Sequence, residues 1–459
     1  MTIRIDYSNM IGAATGGIDE PDWGAAGEAF AAAHAGFARL RESGKVAFAD
    51  AVSDSELEKQ STEFARRTQG RYSDVVVLGI GGSALGPIAL RTALAPAGWN
   101  LLDDGAREGR PRLHVLDNVD PVTIAALLSR LDLARTLFVV TSKSGGTAET
   151  MSQFLVAHDL VSGAQLSPAD HFVFITDPVQ GALRPLAAEL SVPALDIPPG
   201  VGGRFSVLTP VGMLPAALVG IDVSRVLAGA RDMVDRCESA VLSENPAGVY
   251  ATLQWLADTR RGKRINVLMP YSDPLRDFAA WFVQLWAESL GKRRPDGTHV
   301  GQTPLAALGA TDQHSQVQLF MEGPEDKVVT LVAVAEPGTN VTVPHGFSHV
   351  KELGYLGGHS LGELLAVERQ ATAGALAKRA RPNLTIHLDR VDEWHVGGLI
   401  MLFELATAYA GELYGIDAFN QPGVELGKQF AYALLGRPGA DEAKREWDSL
   451  PAPDPRWSV

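Results

Sequence analysis

Short, continuous apolar runs that alternate with helical segments constrain the fold of this chain most strongly. The clearest run is Val75–Ile80, which is rich in β-branched residues and is followed by glycines. A run of this kind is typical of a parallel strand that is buried on both faces. Further short apolar runs, with helical stretches between most of them, are Leu113–Leu116, Leu137–Thr141, Phe172–Thr176 and Ala194–Ile197. This alternation predicts a doubly wound α/β lobe.

A second set of apolar runs follows Gly220, where the chain becomes more helical. It predicts the strands Ile265–Met269, Val328–Val334 and Leu384–Leu388 and the long helices Leu275–Leu290, Leu361–Lys378 and Val396–Tyr414. We therefore expect an α/β protein of two doubly wound lobes with mainly parallel sheets. We assign an N-terminal helical segment and the first lobe to residues 1–224, and the second lobe with a C-terminal helix or tail to residues 225–459. The Ala-rich helix near Trp23–Leu40 is expected to pack on the outside of the first lobe.

Composition indicates which kinds of partner the protein can bind and in which cellular compartment it is found. The net charge of −14 disfavours nucleic acids and anionic membrane surfaces as partners. The longest uncharged runs, Val75–Leu90 and Phe205–Ile221, are interrupted by Gly or Pro and are short for a membrane span of roughly 20 residues. A single cysteine, Cys237, fits a reducing compartment. The N-terminus has no apolar secretory segment, so we expect a cytoplasmic protein.

Two strand-to-helix loops are candidates for binding a phosphate group. The segment Gly79–Gly86 offers backbone N–H groups and the Ser83 hydroxyl at the start of a helix. Its glycines also loosely match a dinucleotide-binding fingerprint, which leaves a dehydrogenase open. The segment Thr141–Thr147 adds a second loop with three hydroxyls, Lys143 and two glycines. Two such loops at a switch point of the sheet favour a terminal phosphate monoester over a pyrophosphate.

The stretch Met269–Gln318 holds the candidate acid and base groups. Gln284 and Glu288 are one helical turn apart and share a face beside an apolar stripe. A carboxylate on that face would lose part of its contact with water, which makes Glu288 a candidate general base. A solvated helix carboxylate remains the alternative, and His314 could equally be a structural histidine.

Two further segments contain candidate cations. Arg204 follows two glycines in Gly202–Gly212, where the backbone can approach a ligand closely and a permanent charge can stabilise a developing oxyanion. Lys428 ends the Gly-rich segment Gly411–Lys428. An arginine in a surface turn and a solvated lysine are the plain alternatives.

Taken together, these five motifs resemble the glucose-6-phosphate isomerase family, in its compact bacterial type with two sugar isomerase (SIS) lobes. The resemblance runs from about Val75 to Lys428. It implies an aldose–ketose isomerase of glycolysis and gluconeogenesis that interconverts D-glucose 6-phosphate and D-fructose 6-phosphate through a cis-enediolate. In that family Glu288 would move the proton between C2 and C1, Arg204 would stabilise the enediolate, and His314 and Lys428 would open the sugar ring.

The resemblance also implies the phosphate site and the assembly. The residues expected to line the phosphate are Gly82, Ser83, Ser142, Lys143, Ser144, Thr147, Gln284 and Gln421. The chain departs from many relatives at Gly146, where they carry Thr, so one possible hydroxyl is lost. A homodimer is implied in which His314 reaches the partner's site. We expect no cofactor, because proton transfer within one substrate is redox-neutral.

Other interpretations stay open at this point. A related enzyme would also isomerise mannose 6-phosphate, and a non-catalytic sugar-phosphate-binding protein would keep the loops but lose one of the acid or base groups. The pair His345 and His349, with His359 nearby, has a spacing that can bind zinc on a helix. The intervening Gly-Phe-Ser lacks the Glu of a zinc protease, so we expect no metal site.

Overall fold

The computed structural model describes residues 2–459. Its strands form two five-stranded sheets and one small hairpin. The strands are β1 Ile3–Asp6, β2 Asp74–Leu78, β3 Arg112–Leu116, β4 Thr136–Thr141, β5 Phe172–Thr176, β6 Ala194–Asp196, β7 Ile265–Pro270, β8 Lys292–Arg293, β9 His299–Val300, β10 Thr303–Ala306, β11 Lys327–Glu336 and β12 Asn383–Arg390.

Helices cover both sheets. They are α1 Glu20–Glu42, α2 Phe48–Ala51, α3 Ser55–Thr68, α4 Leu85–Leu94, α5 Pro121–Leu128, α6 Ala148–Gly163, α7 Pro168–His171, α8 Leu183–Leu190, α9 Pro210–Leu218, α10 Val223–Arg236, α11 Pro246–Arg261, α12 Arg276–Leu290, α13 Gln316–Glu322, α14 Lys351–Gly354, α15 Leu361–Lys378, α16 Glu393–Tyr414, α17 Glu425–Leu434 and α18 Asp441–Asp448.

The first sheet has the order β3-β2-β4-β5-β6, and all of its strands are parallel. Strands β2, β4 and β5 are buried along their whole length, which is why they appear in the sequence as continuous apolar runs. All five predicted strands of this lobe are present, and their bounds differ from the predicted ones by two residues or fewer. The predicted fold class, with mainly parallel sheets, is confirmed.

The second sheet has the order β1-β12-β11-β7-β10 and is parallel except for β1. We did not predict β1 or β10. Strand β1 joins the second sheet by pairing with β12, where Ile5 lies opposite Ile386, although residues 1–224 were assigned to the N-terminal segment and the first lobe. The pairing of β1 thus ties the N-terminus to the second lobe. The division at residue 224 stays a prediction.

Helix α1 lies against the helices of the second lobe, not on the outside of the first lobe, so that expectation was wrong. Phe30 and Phe37 of α1 each meet the ring of Tyr409 on α16 edge-on, with ring centroids 5.4 Å apart. Gly248 of α11 leaves room for the Phe30 ring, since a β-carbon at Gly248 would overlap it. Large buried aromatic rings therefore hold α1 to α11 and α16.

Helix α11 shows how local sequence sets a boundary. The Asn245 side chain accepts a hydrogen bond from the Gly248 N–H at 2.8 Å and so caps the first turn, and Pro246 occupies the first helical position. Gly262 adopts a left-handed conformation, with φ of 65°, just past the last turn. The segment Ser243–Pro246 has the residue types of a helix start.

Helix α16 runs through the core of the second lobe. It is the one helix of residues 2–459 that is long and apolar enough to cross a membrane, but 89% of its most apolar window is buried inside the protein. It packs against α10, α11, α1 and α12. A helix that is apolar on all sides and covered on all sides is the core helix of a folded domain.

Helices α17 and α18 form a separate arm at the C-terminus. They pack on each other, with the rings of Phe430 and Trp447 5.4 Å apart. Several large apolar side chains of this arm are exposed, namely Val424, Leu426, Leu434, Leu435, Trp447, Leu450 and Trp457. The chain beyond Gly436 thus contains the helix α18.

Candidate active site

The two glycine-rich loops meet at the carboxyl end of the first sheet. The loop after β2 contains a short 3-10 helix, Gly81–Ser83, and leads into α4, whereas the loop after β4 leads into α6. Strands β2 and β4 are parallel neighbours, and β3 lies on the other side of β2. The two loops therefore flank the point at which the winding of the sheet changes direction, where α/β proteins bind their ligands.

The second loop gathers its hydroxyl groups into a cluster. The Thr147 Oγ1 atom lies 3.1 Å from the Ser142 Oγ atom and 3.4 Å from the Ser144 Oγ atom. The Gly146 N–H donates to the Ser144 hydroxyl at 3.3 Å. Three hydroxyls and a turn of glycine amides form the kind of cradle that binds phosphate oxygens.

Lys143 holds this loop to the chain that leads to Arg204. Its ammonium group donates to the carbonyl oxygens of Pro199 and Val201, both at 2.7 Å. Burial lowers the pKa of Lys143, and the Asp177 carboxylate opposes that shift. We expected the Lys143 side chain to line the phosphate, but in this structure the ammonium group is engaged with backbone carbonyls and positions the loop.

Gly82 allows the first loop to lie directly against the Arg204 segment. A β-carbon at Gly82 would overlap the carbonyl group of Gly203 and approach the Arg204 backbone nitrogen to 2.8 Å. On the same loop, Gly81 has a positive φ of 57°, and a β-carbon there would lie 2.9 Å from the Gln284 Nε2 atom. The absence of side chains at both positions brings the loop, Arg204 and α12 together.

Arg204 is almost fully buried and its guanidinium group is held on several sides. The Nε atom donates to the Ser289 hydroxyl at 2.6 Å, and Nη2 donates to the carbonyl oxygens of Ala418 and Asn420 at 2.5 and 2.9 Å. The Nη1 atom donates to Gln421 Oε1 at 3.3 Å and lies 3.3 Å from Glu288 Oε1. Burial lowers the pKa of Arg204, while the Glu288 carboxylate opposes that shift. The guanidinium is fixed, and Nη1 is its nitrogen that faces Glu288.

Glu288 lies in the last turn of α12 with its carboxylate between two donors. Its Oε2 atom accepts a hydrogen bond from Gln284 Nε2 at 3.0 Å, and its Oε1 atom faces Arg204. The side chain is 28% exposed, so a substrate can reach it. The one-turn spacing of Gln284 and Glu288 in the sequence has thus placed both on the face of α12 that meets the first loop and Arg204.

Two residues that support Glu288 were not assigned a role from the sequence. The Lys292 ammonium donates to the backbone carbonyl oxygens of Glu288 and Ser289 at 2.6 and 2.8 Å, so it caps the carboxyl end of α12. Burial and the nearby Arg204 lower the pKa of Lys292 to about 8. Ser289 is fully buried and binds Arg204. The sequence signal for this cap is the position of Lys292, just past the last turn of a predicted helix.

His314 is not beside Glu288 of its own chain. It is exposed and ends the short 3-10 helix Thr311–His314, which follows β10. The Tyr271 hydroxyl donates to Gln313 Oε1 at 2.6 Å, which holds this helix near the start of α12. Glu288 lies twelve residues beyond Arg276, the first residue of α12, or about 18 Å along the helix axis. The two side chains are therefore at opposite ends of α12.

Lys428 is paired with a carboxylate of its own helix. It is half-exposed on α17, and its ammonium pairs with Glu425 at 3.1 Å. Within residues 2–459 no ion pair joins Lys428 to Glu288. Gln421, seven residues earlier, does reach Arg204. A single chain thus brings together Glu288, Arg204, Gln284, Gln421 and the two loops, whereas His314 lies at the other end of α12.

The histidine pair considered as a metal site shows no ligand cluster. Across the described part of the chain, no group of three or more His, Cys, Asp or Glu side chains is placed to hold a metal ion. His359 is paired instead with Glu363, at 3.0 Å between Nδ1 and Oε2.

Comparisons with known proteins converge on one family. The model of the phosphoglucose isomerase family matches residues 47–346 and 360–452. A glucose-6-phosphate isomerase from Carboxydothermus hydrogenoformans is 44% identical over 97% of both chains. One from Rubrobacter xylanophilus is 47% identical over 83% of this chain and 86% of its own.

Solved structures resemble the whole chain. A hypothetical protein from Thermus thermophilus superimposes with a TM-score of 0.84 at 36% identity, over 95% of this chain and all of its own. A glucose-6-phosphate isomerase from Chlamydia trachomatis has the same fold, with a TM-score of 0.73 at 24% identity, over 86% of this chain and 77% of its own.

Proposed function

Because the chain belongs to the phosphoglucose isomerase family, we infer that it interconverts D-glucose 6-phosphate and D-fructose 6-phosphate. One observation of the site carries this inference beyond the family match. A carboxylate, Glu288, and a fixed guanidinium, Arg204, face each other at 3.3 Å beside two loops suited to a phosphate. A base, an oxyanion stabiliser and a phosphate cradle are the parts that isomerisation of a sugar phosphate requires.

The substrate phosphate is anchored by the loops after β2 and β4. Backbone N–H groups near Gly82, the hydroxyls of Ser83, Ser142, Ser144 and Thr147, and the amide groups of Gln284 and Gln421 supply donors. Because the net charge is −14, this local concentration of donors must attract the dianion against the field of the whole protein. Lys143 contributes through the position of the loop, since its ammonium is bound to Pro199 and Val201.

Glu288 transfers the proton between C2 and C1 of the open-chain sugar. Gln284 fixes one of its oxygens, and the other faces Arg204. A sugar C–H is a far weaker acid than any carboxylic acid, so stabilisation of the intermediate must supply much of the acceleration. Arg204 provides it through Nη1, because its other nitrogens are already held by Ser289, Ala418 and Asn420. A guanidinium that does not need to reorganise stabilises the enediolate most effectively.

Opening of the pyranose ring requires an acid and a base, and we assign them to His314 and Lys428. His314 does not lie beside Glu288 of its own chain. We therefore propose a homodimer in which His314 of each chain completes the partner's site. His314 is exposed and lies near the start of α12, away from Glu288, which supports this arrangement. A two-fold axis makes the exchange of His314 between the two chains reciprocal. Lys428 is on the α17–α18 arm, and its approach to the substrate requires movement of that side chain from Glu425.

The reaction needs no redox cofactor, because one substrate is oxidised at one carbon and reduced at its neighbour. A cytoplasmic location is also part of the proposal. The single cysteine, Cys237, is buried and free, which suits a reducing compartment.

A coupled assay tests the function directly. Fructose 6-phosphate is supplied, and the appearance of glucose 6-phosphate is followed with a glucose-6-phosphate-specific dehydrogenase. We expect steady conversion by the wild-type protein and near-background conversion by a Glu288→Gln preparation made in parallel. If the wild-type protein gives no glucose 6-phosphate above that control, the proposed reaction is wrong.

A further inference from the structure

A cavity of about 810 Å³ lies at the carboxyl end of the second sheet, away from the site described above. The segments after β7, β11 and β12 line it, together with β1 and one side of α15. Among the lining residues, Asp273 lies just before the first residue of α12, and Glu288 lies in the last turn of that helix. The cavity is therefore separated from Glu288 of the same chain by the length of α12, about 18 Å.

The position of this cavity matches that of the phosphate loops in the first lobe. In the first sheet, β2 is flanked by β3 and β4, and the loops after β2 and β4 form the phosphate cradle. In the second sheet, β7 is flanked by β10 and β11 in the same chain order. The equivalent crevice lies between the segments after β7 and β11, where this cavity is found. A switch point of a parallel sheet is a general location for ligands.

Three side chains with nitrogen donors lie together in the cavity wall. Arg4 on β1 lies directly opposite His387 on β12 in the antiparallel pair, so their side chains are adjacent on one face of the sheet. Arg369 lines the same cavity from α15. The pKa of His387 is lowered by burial and then by Arg4 and Arg369. Within residues 2–459, neither Arg4 nor Arg369 forms an ion pair with a carboxylate.

The acidic residues of the cavity wall are each bound by another group. Glu336 pairs with Arg390 at 3.3 Å, Glu363 with His359 at 3.0 Å and Asp273 with Arg276 at 3.3 Å. Asp389 accepts hydrogen bonds from the N–H and hydroxyl of Thr2 at 2.8 and 2.7 Å.

Asp6, the next acidic residue along β1, accepts hydrogen bonds from the Ser8 N–H and hydroxyl at 3.1 and 2.7 Å. Asp6 and Asp389 keep their charges, but their oxygens are occupied by donors of Ser8 and Thr2. Of the guanidinium groups that line the cavity, Arg390 is paired with Glu336, whereas Arg4 and Arg369 have no carboxylate within ion-pair distance among the described residues. A guanidinium with free donors is well matched to a phosphate or carboxylate oxygen pair.

We propose that this cavity binds a small organic phosphate monoester, held by Arg4 and Arg369 with His387 beside it. Two guanidinium groups match the double charge of a phosphate monoester better than the single charge of a carboxylate. The volume lies within the range of small-molecule sites, about 300–1,000 Å³, so it admits an organic group as well as the phosphate. This site is additional to the two loops after β2 and β4, and phosphate binding there does not depend on the isomerase reaction.

Equilibrium dialysis with ³²P-labelled inorganic phosphate counts the sites on the full-length protein. We expect two phosphates per wild-type chain, one at each lobe. Arg369→Gln and, separately, Arg4→Gln should each weaken the second site at least about tenfold. The double variant S142A/T147V should weaken the substrate site and leave the second site intact.

A matched control removes the same charge elsewhere. Arg130 is exposed in the first lobe and has no ion pair among the described residues, so Arg130→Gln should bind phosphate as the wild type does. Melting temperatures identify any variant that has failed to fold, and Arg4 lies on an exposed edge strand where substitution is tolerated. Wild-type binding of a single phosphate that S142A/T147V abolishes would overturn the proposal, as would unchanged binding by both Arg4→Gln and Arg369→Gln.

Competition separates an organic ester from a free anion. In the S142A/T147V background, glycerol 2-phosphate should displace labelled phosphate at a concentration several-fold lower than sulfate does. Equal displacement by the two would show a site for free oxyanions only and contradict the organic part of the proposal.

Discussion

Arg204 shows how much of a catalytic group lies outside the motif that contains it. Its own segment, Gly202–Gly212, supplies the glycines that let the backbone pass close to Gly82. Its orientation depends on Ser289 of α12 and on carbonyl oxygens near Ala418, both more than 80 residues away in sequence. Four hydrogen bonds, to Ser289, Gln421, Ala418 and Asn420, remove most of the rotamer freedom of the side chain. Three separate segments of the chain thus fix the position of the guanidinium group.

Glu288→Gln should abolish proton transfer while it preserves the shape of the site. We expect kcat to fall by about 10²–10⁴-fold or more, with binding of phosphate ligands largely kept. The measurement is solvent deuterium incorporation at C2 of glucose 6-phosphate. Glu189→Gln, an exposed change on α8, is the matched control and should exchange at the wild-type rate. Near wild-type exchange in Glu288→Gln would remove this residue from the role of base.

Glu404 on α16 is a second carboxyl group with an unusual environment. It is fully buried, and neither of its oxygens has a hydrogen-bond partner in the described chain. Burial raises the pKa of Glu404 well above its ordinary value. The folded state therefore keeps a proton that the unfolded state releases above about pH 4.5. Folding stability contributed by this group is present at low pH and is lost as the pH rises toward the folded pKa.

Glu404→Gln should remove that pH dependence. As the pH rises from about 5, the stability of the variant relative to the wild type should increase by about 1.4 kcal/mol per pH unit until the folded pKa is reached. Urea unfolding at pH 5.5, 6.5 and 7.5 measures the difference, and Glu189→Gln should show no such slope. A constant difference across this range would mean that Glu404 is already ionised in the folded protein.

At the scale of elements, contact between the first loop and the 3-10 helix Gly203–Phe205 determines the site. Gly82 lies at that contact, and its φ is not in the left-handed region, so steric overlap is the reason for a glycine there. Gly202 is the matched position, because its β-carbon would lie 3.7 Å from the Phe205 ring, an ordinary contact. An added methyl group would therefore overlap the backbone at Gly82 but make only an ordinary contact at Gly202.

Gly82→Ala should push the first loop away from Arg204. We expect a loss of stability of about 1–3 kcal/mol from overpacking and a decrease in kcat/KM of at least tenfold, because a displacement near 1 Å can cost about 10²-fold. Melting temperature and steady-state kinetics measure the two effects. Gly202→Ala should retain a melting temperature within a few degrees of the wild type. Similar behaviour of the two variants would refute the steric role of Gly82.

The strands that were predicted from the sequence differ from the strands that were missed in how well a local residue pattern identifies them. Strands β2, β4 and β5 are buried on both faces, so a local apolar run is enough to identify them. Strand β10 is four residues long and contains Pro304, and β1 depends on a partner more than 380 residues away. Glu288, Gln284 and Arg204 were predicted as one site and are together. The supporting contacts of Ser289 and Lys292 depend on three-dimensional distances that no local pattern contains.

For the whole molecule, both sheets and their helices contribute to the proposed site. The loops after β2 and β4 and Arg204 come from residues before α10, whereas α12 brings Glu288 from the amino end of the second sheet. His314 follows β10 at the carboxyl end of that same sheet. A single copy of the chain therefore places Glu288 and His314, to which we assign base and acid roles, at opposite ends of one lobe. Assembly into a dimer is the route by which they meet in our proposal.

Subunit exchange gives a quantitative test of that arrangement. Glu288→Gln and His314→Ala chains, each nearly inactive alone, are mixed under conditions that allow exchange. Random pairing makes about half of the dimers mixed. In a mixed dimer with shared sites, one site receives both lesions and the other receives neither. Activity should therefore recover to about a quarter of the wild-type value.

The control for this experiment places both lesions on one chain. Wild-type chains mixed with an equal amount of Glu288→Gln/His314→Ala chains also form about half mixed dimers. Each site of such a dimer then carries one lesion, so activity should fall to about a quarter, from the wild-type dimers alone. If His314 served its own chain, this mixture would keep about half of the activity and the single-lesion mixture would recover none. Native mass spectrometry establishes that exchange has occurred. Complete exchange without recovery in the single-lesion mixture would refute the shared site and leave the proposed reaction intact.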